Sequence, residues 1–112
     1  MHSGWHSVRD SDPDKWWQMH PGPGVEGATY LADLGVVAVG ADSTGLEVLP
    51  PENEARPFEV HQTLLAKRGV YILENMWTND LAADGVHEFL FVLGQPKFKG
   101  AVQMVINPIA IR

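Results

Sequence analysis

The stretch HQTLLAKRGVYILEN, residues 61–75, constrains the fold more than any other part of the chain, because it changes from helical to strand character across one glycine. Leu64 and Leu65 follow His61 at three and four positions, the spacing of one helical face, and Gly69 stands where such a helix stops. Val70, Tyr71, Ile72 and Leu73 are β-branched, aromatic or aliphatic, which is the composition of a short buried strand, and Glu74 follows directly. Seven helical steps from His61 to Arg68 rise roughly 10 Å, and five strand steps from Gly69 to Glu74 cover roughly 16 Å. A strand that runs back along its helix therefore returns Glu74 to the level of His61 or a little past it. Two side chains of metal-ligating type can then converge although a helix and a turn separate them.

The rest of the chain fits around this hairpin. Residues 1–24, MHSGWHSVRDSDPDKWWQMHPGPG, are rich in Trp, His, Asp, Pro and Gly without clean periodicity and read as a loop-rich segment. Within it, Asp12 as N-cap and Pro13 at the first helical position predict one or two helical turns. Apolar residues at 25, 28, 31 and 34 predict a helix that Gly35 ends, and VVAVG predicts a buried strand. The turn ADSTG, the short apolar LEVL and the polar, proline-bounded loop PPENEARP lead into the His61 helix. After Glu74, Thr78 can cap a single turn, and HEFLFVL and AVQMVINPIAI close the chain as two strands. Helix and strand alternate first and strands dominate last, so the class is α/β or α+β. The expectation is one domain over 1–112, with a core from 25 onward holding a central mixed sheet, two main helices and a strand-rich C-terminus.

Composition removes several function classes. Eight Lys and Arg against fourteen Asp and Glu give a net charge of −6, and no basic cluster exceeds Lys67-Arg68 or Lys97-Phe98-Lys99, so nucleic acid is not an expected partner. The chain has no Cys, which excludes disulfides and thiolate zinc sites. No apolar run reaches the roughly 20 residues of a spanning helix and no signal-peptide pattern opens the chain, so the expectation is a cytoplasmic protein without a membrane partner.

Several segments together, HSGW, HPG at 20–22, LGVVAVGAD at 34–42, HQTLLAKRGVYILEN at 61–75 and PKFKGAVQMVINPIAI at 96–111, occur in an order that resembles the metal-dependent cyclase-like hydrolases, which include bacterial kynurenine formamidases and isatin hydrolases. The likeness runs over nearly the whole chain but corresponds to the C-terminal half of that family. The family's His-x-Gly-Thr-His-x-Asp-x-Pro-x-His type motif, which supplies most metal ligands and the general-base histidine, is not present. The resemblance implies a partial cyclase-like β/α fold in which His61 and Glu74 are the two ligands this half contributes to a zinc or manganese site. There the metal activates a water for attack on an amide carbonyl. A catalytic ion needs more than two protein ligands, so the resemblance implies a hydrolase homologue that is incomplete by itself. His2, His6 and His20 lie in or near loops and could complete a set, without a precedent in the family. The alternatives are a non-catalytic small-molecule binding or assembly module, and one half of a split hydrolase whose N-terminal half is a separate partner.

Further residues carry weaker expectations. Trp5, His6, Trp16 and Trp17 are candidates for the substrate side of the site, with core or interface packing as the competing role. Asp42, in the ADSTG turn, is a candidate for shaping a substrate pocket, although turn chemistry accounts for it equally. His87 reads as a strand-edge surface residue. Because the family's N-terminal half packs against the strands seen here, the resemblance also implies an open edge and apolar face, and hence a homo-oligomer, most simply two-fold.

Overall fold

The computed structural model describes residues 1–112, which divide into two units, Met1–Asp80 and Leu81–Arg112. In the first unit a 3₁₀ turn, Trp5–Ser7, leads to α1 (Val8–Ser11) and α2 (Pro13–Gln18). Asp12 starts α2 as the sequence predicts: its side chain accepts the Lys15 N–H at 3.1 Å, with Pro13 in the first turn. Helix α3 spans Val25–Asp33 and has Gly24 at its N-cap, which offers no side chain; instead Glu52, from the proline-bounded loop, accepts the Val25 N–H at 2.8 Å. A Cβ at Gly24 would lie 2.1 Å from the Glu52 carboxylate, so a larger residue would push aside the side chain that accepts the Val25 N–H. Gly35, at φ +77°, ends α3 in the left-handed conformation that glycine adopts freely.

Strand β1 (Ala38–Gly40) pairs in parallel with β2 (Tyr71–Leu73), Val39 opposite Ile72. Between them lies α4, Glu59–His61, which continues through Gln62–Lys67 as a wide π-helical turn. The bonds that close it run from the Gly69 N–H to the Leu65 carbonyl (3.3 Å) and from Val70 to Leu64 (2.8 Å). Each spans one residue more than in the usual glycine-ended helix, as a π turn requires. The expected reversal at Gly69 (φ +67°) is thus present, with an extra residue taken up inside the helix.

The apolar faces of α3 and α4 cover the two-stranded sheet. Ala28, Val39, Ala41, Leu46, Val60, Leu64 and Val70 form the buried core, with Val25, Leu31, Ala32, Val36 and Ile72 packed against it. Parallel strands joined through a helix are buried on the helix side, and they bring the segments after Gly40 and after Leu73 to the same end of the sheet. Backbone bonds hold those ends together: Ala41 N–H to Leu73 O at 2.9 Å, Asn75 N–H to Ser43 O at 2.9 Å, and Met76 N–H to Ala41 O at 2.9 Å. LEVL is not a strand; Leu49 forms only an isolated antiparallel bridge with His20.

Helix α5 (Asn79–Ala83) follows Thr78 and ends at Gly85, φ +63°. In the second unit, β3 (Leu90–Val92) and β4 (Ile109–Ile111) pair antiparallel, Phe91 opposite Ala110, and Arg112 pairs with Asp84. The fold is therefore mixed α and β, but the expected single mixed sheet is two separate two-stranded sheets. The expected long final strand is strand only at 109–111. Gly94, Pro96, Gly100 and Pro108 punctuate the segment before it, and a proline supplies no N–H to a ladder. No residue of this unit is buried, and Phe98, Val102 and Val105 are among its exposed apolar side chains.

Candidate functional site

The ends of parallel strands where the chain leaves the sheet are where α/β folds place their ligands. Here Glu74 follows the last residue of β2, and His61 reaches it from α4. His61 Nε2 stands 3.2 Å from Glu74 Oε1. The third member, Glu47, has no motif or spacing in the sequence that marks it. Its Oε2 accepts the His61 backbone N–H at 3.0 Å and lies 2.6 Å from His61 Nδ1. Helix α4 has no side-chain cap of its own, because Phe58 precedes it in a left-handed conformation, so Glu47 serves one of the orphan N–H groups of its first turn. Glu47 is placed by Leu46, a fully buried leucine at φ +54°, a conformation that costs a leucine about 1–2 kcal/mol. The alternation of LEVL would turn Glu47 to solvent; the left-handed Leu46 turns it inward, where it is 4% exposed.

Both ring nitrogens of His61 therefore face carboxylates, which only accept hydrogen bonds when ionised. A neutral imidazole carries one N–H. Nδ1–H donates to Glu47, so Nε2 presents a lone pair to Glu74 unless a proton or a metal cation sits between them. The bond to Glu74 raises the His61 pKa, which favours a proton at that place; burial opposes the rise, and Glu47 adds to it. The same arrangement fits a metal ion. Two donors at 2.0–2.1 Å on a tetrahedral ion are about 3.3 Å apart, close to the Nε2–Oε1 separation. A carboxylate on the far ring nitrogen is the usual partner of a metal-ligating histidine. Only the spacing of His61 and Glu74 suits an ion; no group of three or more His, Asp or Glu is arranged to hold one.

Asp42 lies at the end of β1 and is fully buried, but its oxygens are engaged within the chain. They accept the Ser3 N–H at 3.0 and 3.2 Å, the Ser3 hydroxyl at 2.6 Å and the Gly4 N–H at 2.8 Å. Burial alone would raise its pKa; the bonds from Ser3 and Gly4 outweigh that and hold it below the usual carboxylate range. Asp42 thus ties the N-terminal segment to the sheet. His6 is buried edge-on against Trp77, ring centroids 5.0 Å apart. Lys15 sits 5.6 Å from the Trp5 ring centroid, and Trp16 packs edge-to-face with the exposed Trp17. None of the candidates Trp5, His6, Trp16 and Trp17 hydrogen-bonds to Glu47, His61 or Glu74. His20, which the sequence offers with His2 and His6 as a further metal ligand, is 3% exposed with its backbone paired to Leu49, and no group of three or more ligating side chains forms.

Residues 1–48 match the family described as "Putative cyclase", a stretch that includes His20, Asp42 and Glu47 and stops short of His61 and Glu74. No curated protein and no solved structure matches the chain. The match supports a cyclase-like protein.

Proposed function

We propose that this cyclase-like chain carries part of the divalent-metal site of an amide hydrolase related to the kynurenine formamidases and isatin hydrolases, with His61 and Glu74 as its ligands. The observation that supports this reading is the pair of carboxylates on the two nitrogens of one imidazole, with Nε2 3.2 Å from Glu74 Oε1. When bound, zinc or manganese supplies Lewis-acid activation of water toward an amide carbonyl. The chain's own residues prepare the position: Glu47 fixes the tautomer and orientation of His61, directing the Nε2 lone pair at Glu74, and the backbone bonds after β1 and β2 fix the strand end that carries Glu74. Two protein donors are fewer than the three usual for a catalytic zinc ion, so the site needs further donors from another segment or chain. A split hydrolase, in which a partner supplies them, follows from the same count. Zinc and manganese titration of the chelator-treated protein, followed by assay on N-formylaniline and isatin, tests the reading. Metal bound through His61 and Glu74 supports it. Unchanged metal binding in His61→Ala and Glu74→Ala removes it and leaves a non-catalytic binding module.

A further inference from the structure

The ladder between β1 and β2 changes spacing at the residue that carries the site carboxylate. With Gly40 opposite Leu73, the register places Ala41 opposite Glu74. In a regular parallel pair the Ala41 N–H then donates to the residue before Glu74, and the Ala41 carbonyl accepts from the residue after it. The first bond is present, from the Ala41 N–H to Leu73 O at 2.9 Å. The second skips a residue: the Ala41 carbonyl accepts the Met76 N–H at 2.9 Å, while the Asn75 N–H donates to Ser43 O at 2.9 Å. Glu74 and Asn75 together thus stand opposite Ala41, which makes a β-bulge. Asn75 takes up the extra residue at φ +55°, in the left-handed region. Met76 shows the same turn from another side. A Cβ at Gly40 would lie 3.6 Å from Met76 Cγ, whereas an unbroken ladder would carry Met76 on to Ser43.

Bulges beside functional sites end a pairing and re-aim a side chain. Here the backbone is anchored on both sides of Glu74, at the Leu73 carbonyl and at the Asn75 N–H, with the carboxylate 3.2 Å from His61 Nε2. We infer that Asn75 is a positioning residue of the site, its left-handed turn holding Glu74 against His61; this rests on the metal-site reading above for its function, though not for its geometry. Asparagine suits the place because it enters the left-handed region more readily than other residues with a side chain, and β-branched residues enter it least. Asn75→Val therefore favours the unbroken ladder, in which the N–H of residue 75 moves to the Ala41 carbonyl and Glu74 turns with it. Asn75→Gly keeps the bulge.

The test uses the full chain labelled with ¹⁵N, first with chelator and then titrated with zinc. Long-range ¹H–¹⁵N spectra resolve the rings of its five histidines, with His61 assigned from His61→Gln. In the metal-free chain Glu74→Ala should shift His61 Nε2, and the expected result is that Asn75→Val shifts it in the same direction while Asn75→Gly leaves it in place. Zinc affinity should fall more than about tenfold in Asn75→Val and stay within about threefold in Asn75→Gly. Added to Glu74→Ala, Asn75→Val should lower it no further, because the residue acts through Glu74. Asn75→Ala is read in the same terms if Asn75→Val does not fold. If Asn75→Val leaves Nε2 unmoved, matches Asn75→Gly, or lowers zinc affinity equally with and without Glu74, the inference is overturned, and the metal reading then stands or falls on Glu74→Ala alone. If Asn75→Val moves Nε2 but neither it nor Glu74→Ala changes zinc affinity, the metal reading falls and the positioning of Glu74 by Asn75 stands.

Discussion

Replacing Glu47 measures how much of the first unit rests on the residue that holds His61. Its Oε2 accepts two bonds, from the His61 backbone N–H at 3.0 Å and from Nδ1–H at 2.6 Å, on a side chain only 5% exposed. An acceptor in the first helical turn contributes about 1 kcal/mol, and a charge-assisted bond about 1.5–3 kcal/mol. Glu47→Ala should therefore cost about 3 kcal/mol. Glu47→Gln keeps an acceptor oxygen of the same reach and gives up the charge, so about 1 kcal/mol is expected. Urea unfolding at pH 7 in the presence of chelator provides the assay. Trp5, Trp16, Trp17 and Trp77 all lie in the first unit, so tryptophan fluorescence reports that unit alone. With a urea slope of about 1 kcal/mol/M for a unit of this size, the midpoint should fall by about 3 M for Ala and about 1 M for Gln. A cost below about 0.5 kcal/mol for Glu47→Ala, or equal costs for the two variants, would refute the argument that an accepting oxygen at this position organises α4.

Asp42, whose pKa is held low, should contribute stability that is fully present above the unfolded carboxylate pKa of about 3.9 and is lost as pH falls through its lower folded value. Acid titration followed by tryptophan fluorescence should show that loss below about pH 4 in the parent and its absence in Asp42→Asn, which is itself less stable by about 1–3 kcal/mol at pH 7. Glu74→Ala should lower zinc affinity more than tenfold in calorimetric titration while changing stability by less than about 1 kcal/mol, since Glu74 is partly exposed and bonded to His61 alone. Gly22→Ala should cost about 3 kcal/mol or prevent folding, because the added Cβ meets the Leu46 and Glu47 backbone, which cannot swing aside; normal thermal unfolding would contradict the tight approach. The second unit exposes Phe98, Val102, Val105 and both strand edges of a ribbon too small to be stable by itself, so self-association is expected in light scattering, and a monodisperse monomer at micromolar concentration would refute it.

The pairing of His61 with Glu74 was legible because it depends on local rules: helical rise, a glycine stop, a strand of known rise, and a reversal. The same kind of rule located α2 through Asp12 and Pro13 and ended α3 at Gly35. Glu47 and His20 were not legible in that way, since each is brought to its place by something with no sequence signature. A leucine in the left-handed region turns Glu47 inward against its alternation pattern, and a backbone pairing across 29 residues, from His20 to Leu49, buries a loop histidine beside it. Asp42 shows the complementary case. Its sequence context suits a turn or a pocket equally, and only the arrival of Ser3 and Gly4 from the far end of the unit decides that its oxygens hold the chain together. Short-range geometry accounts for α2, for the end of α3 at Gly35 and for the meeting of His61 with Glu74, but not for the final segment, which reads as extended from 101 and is strand only at 109–111. Tertiary structure decided which carboxylate holds that histidine and which is spent on the fold, because hydrogen bonds between distant segments depend on where the whole backbone runs.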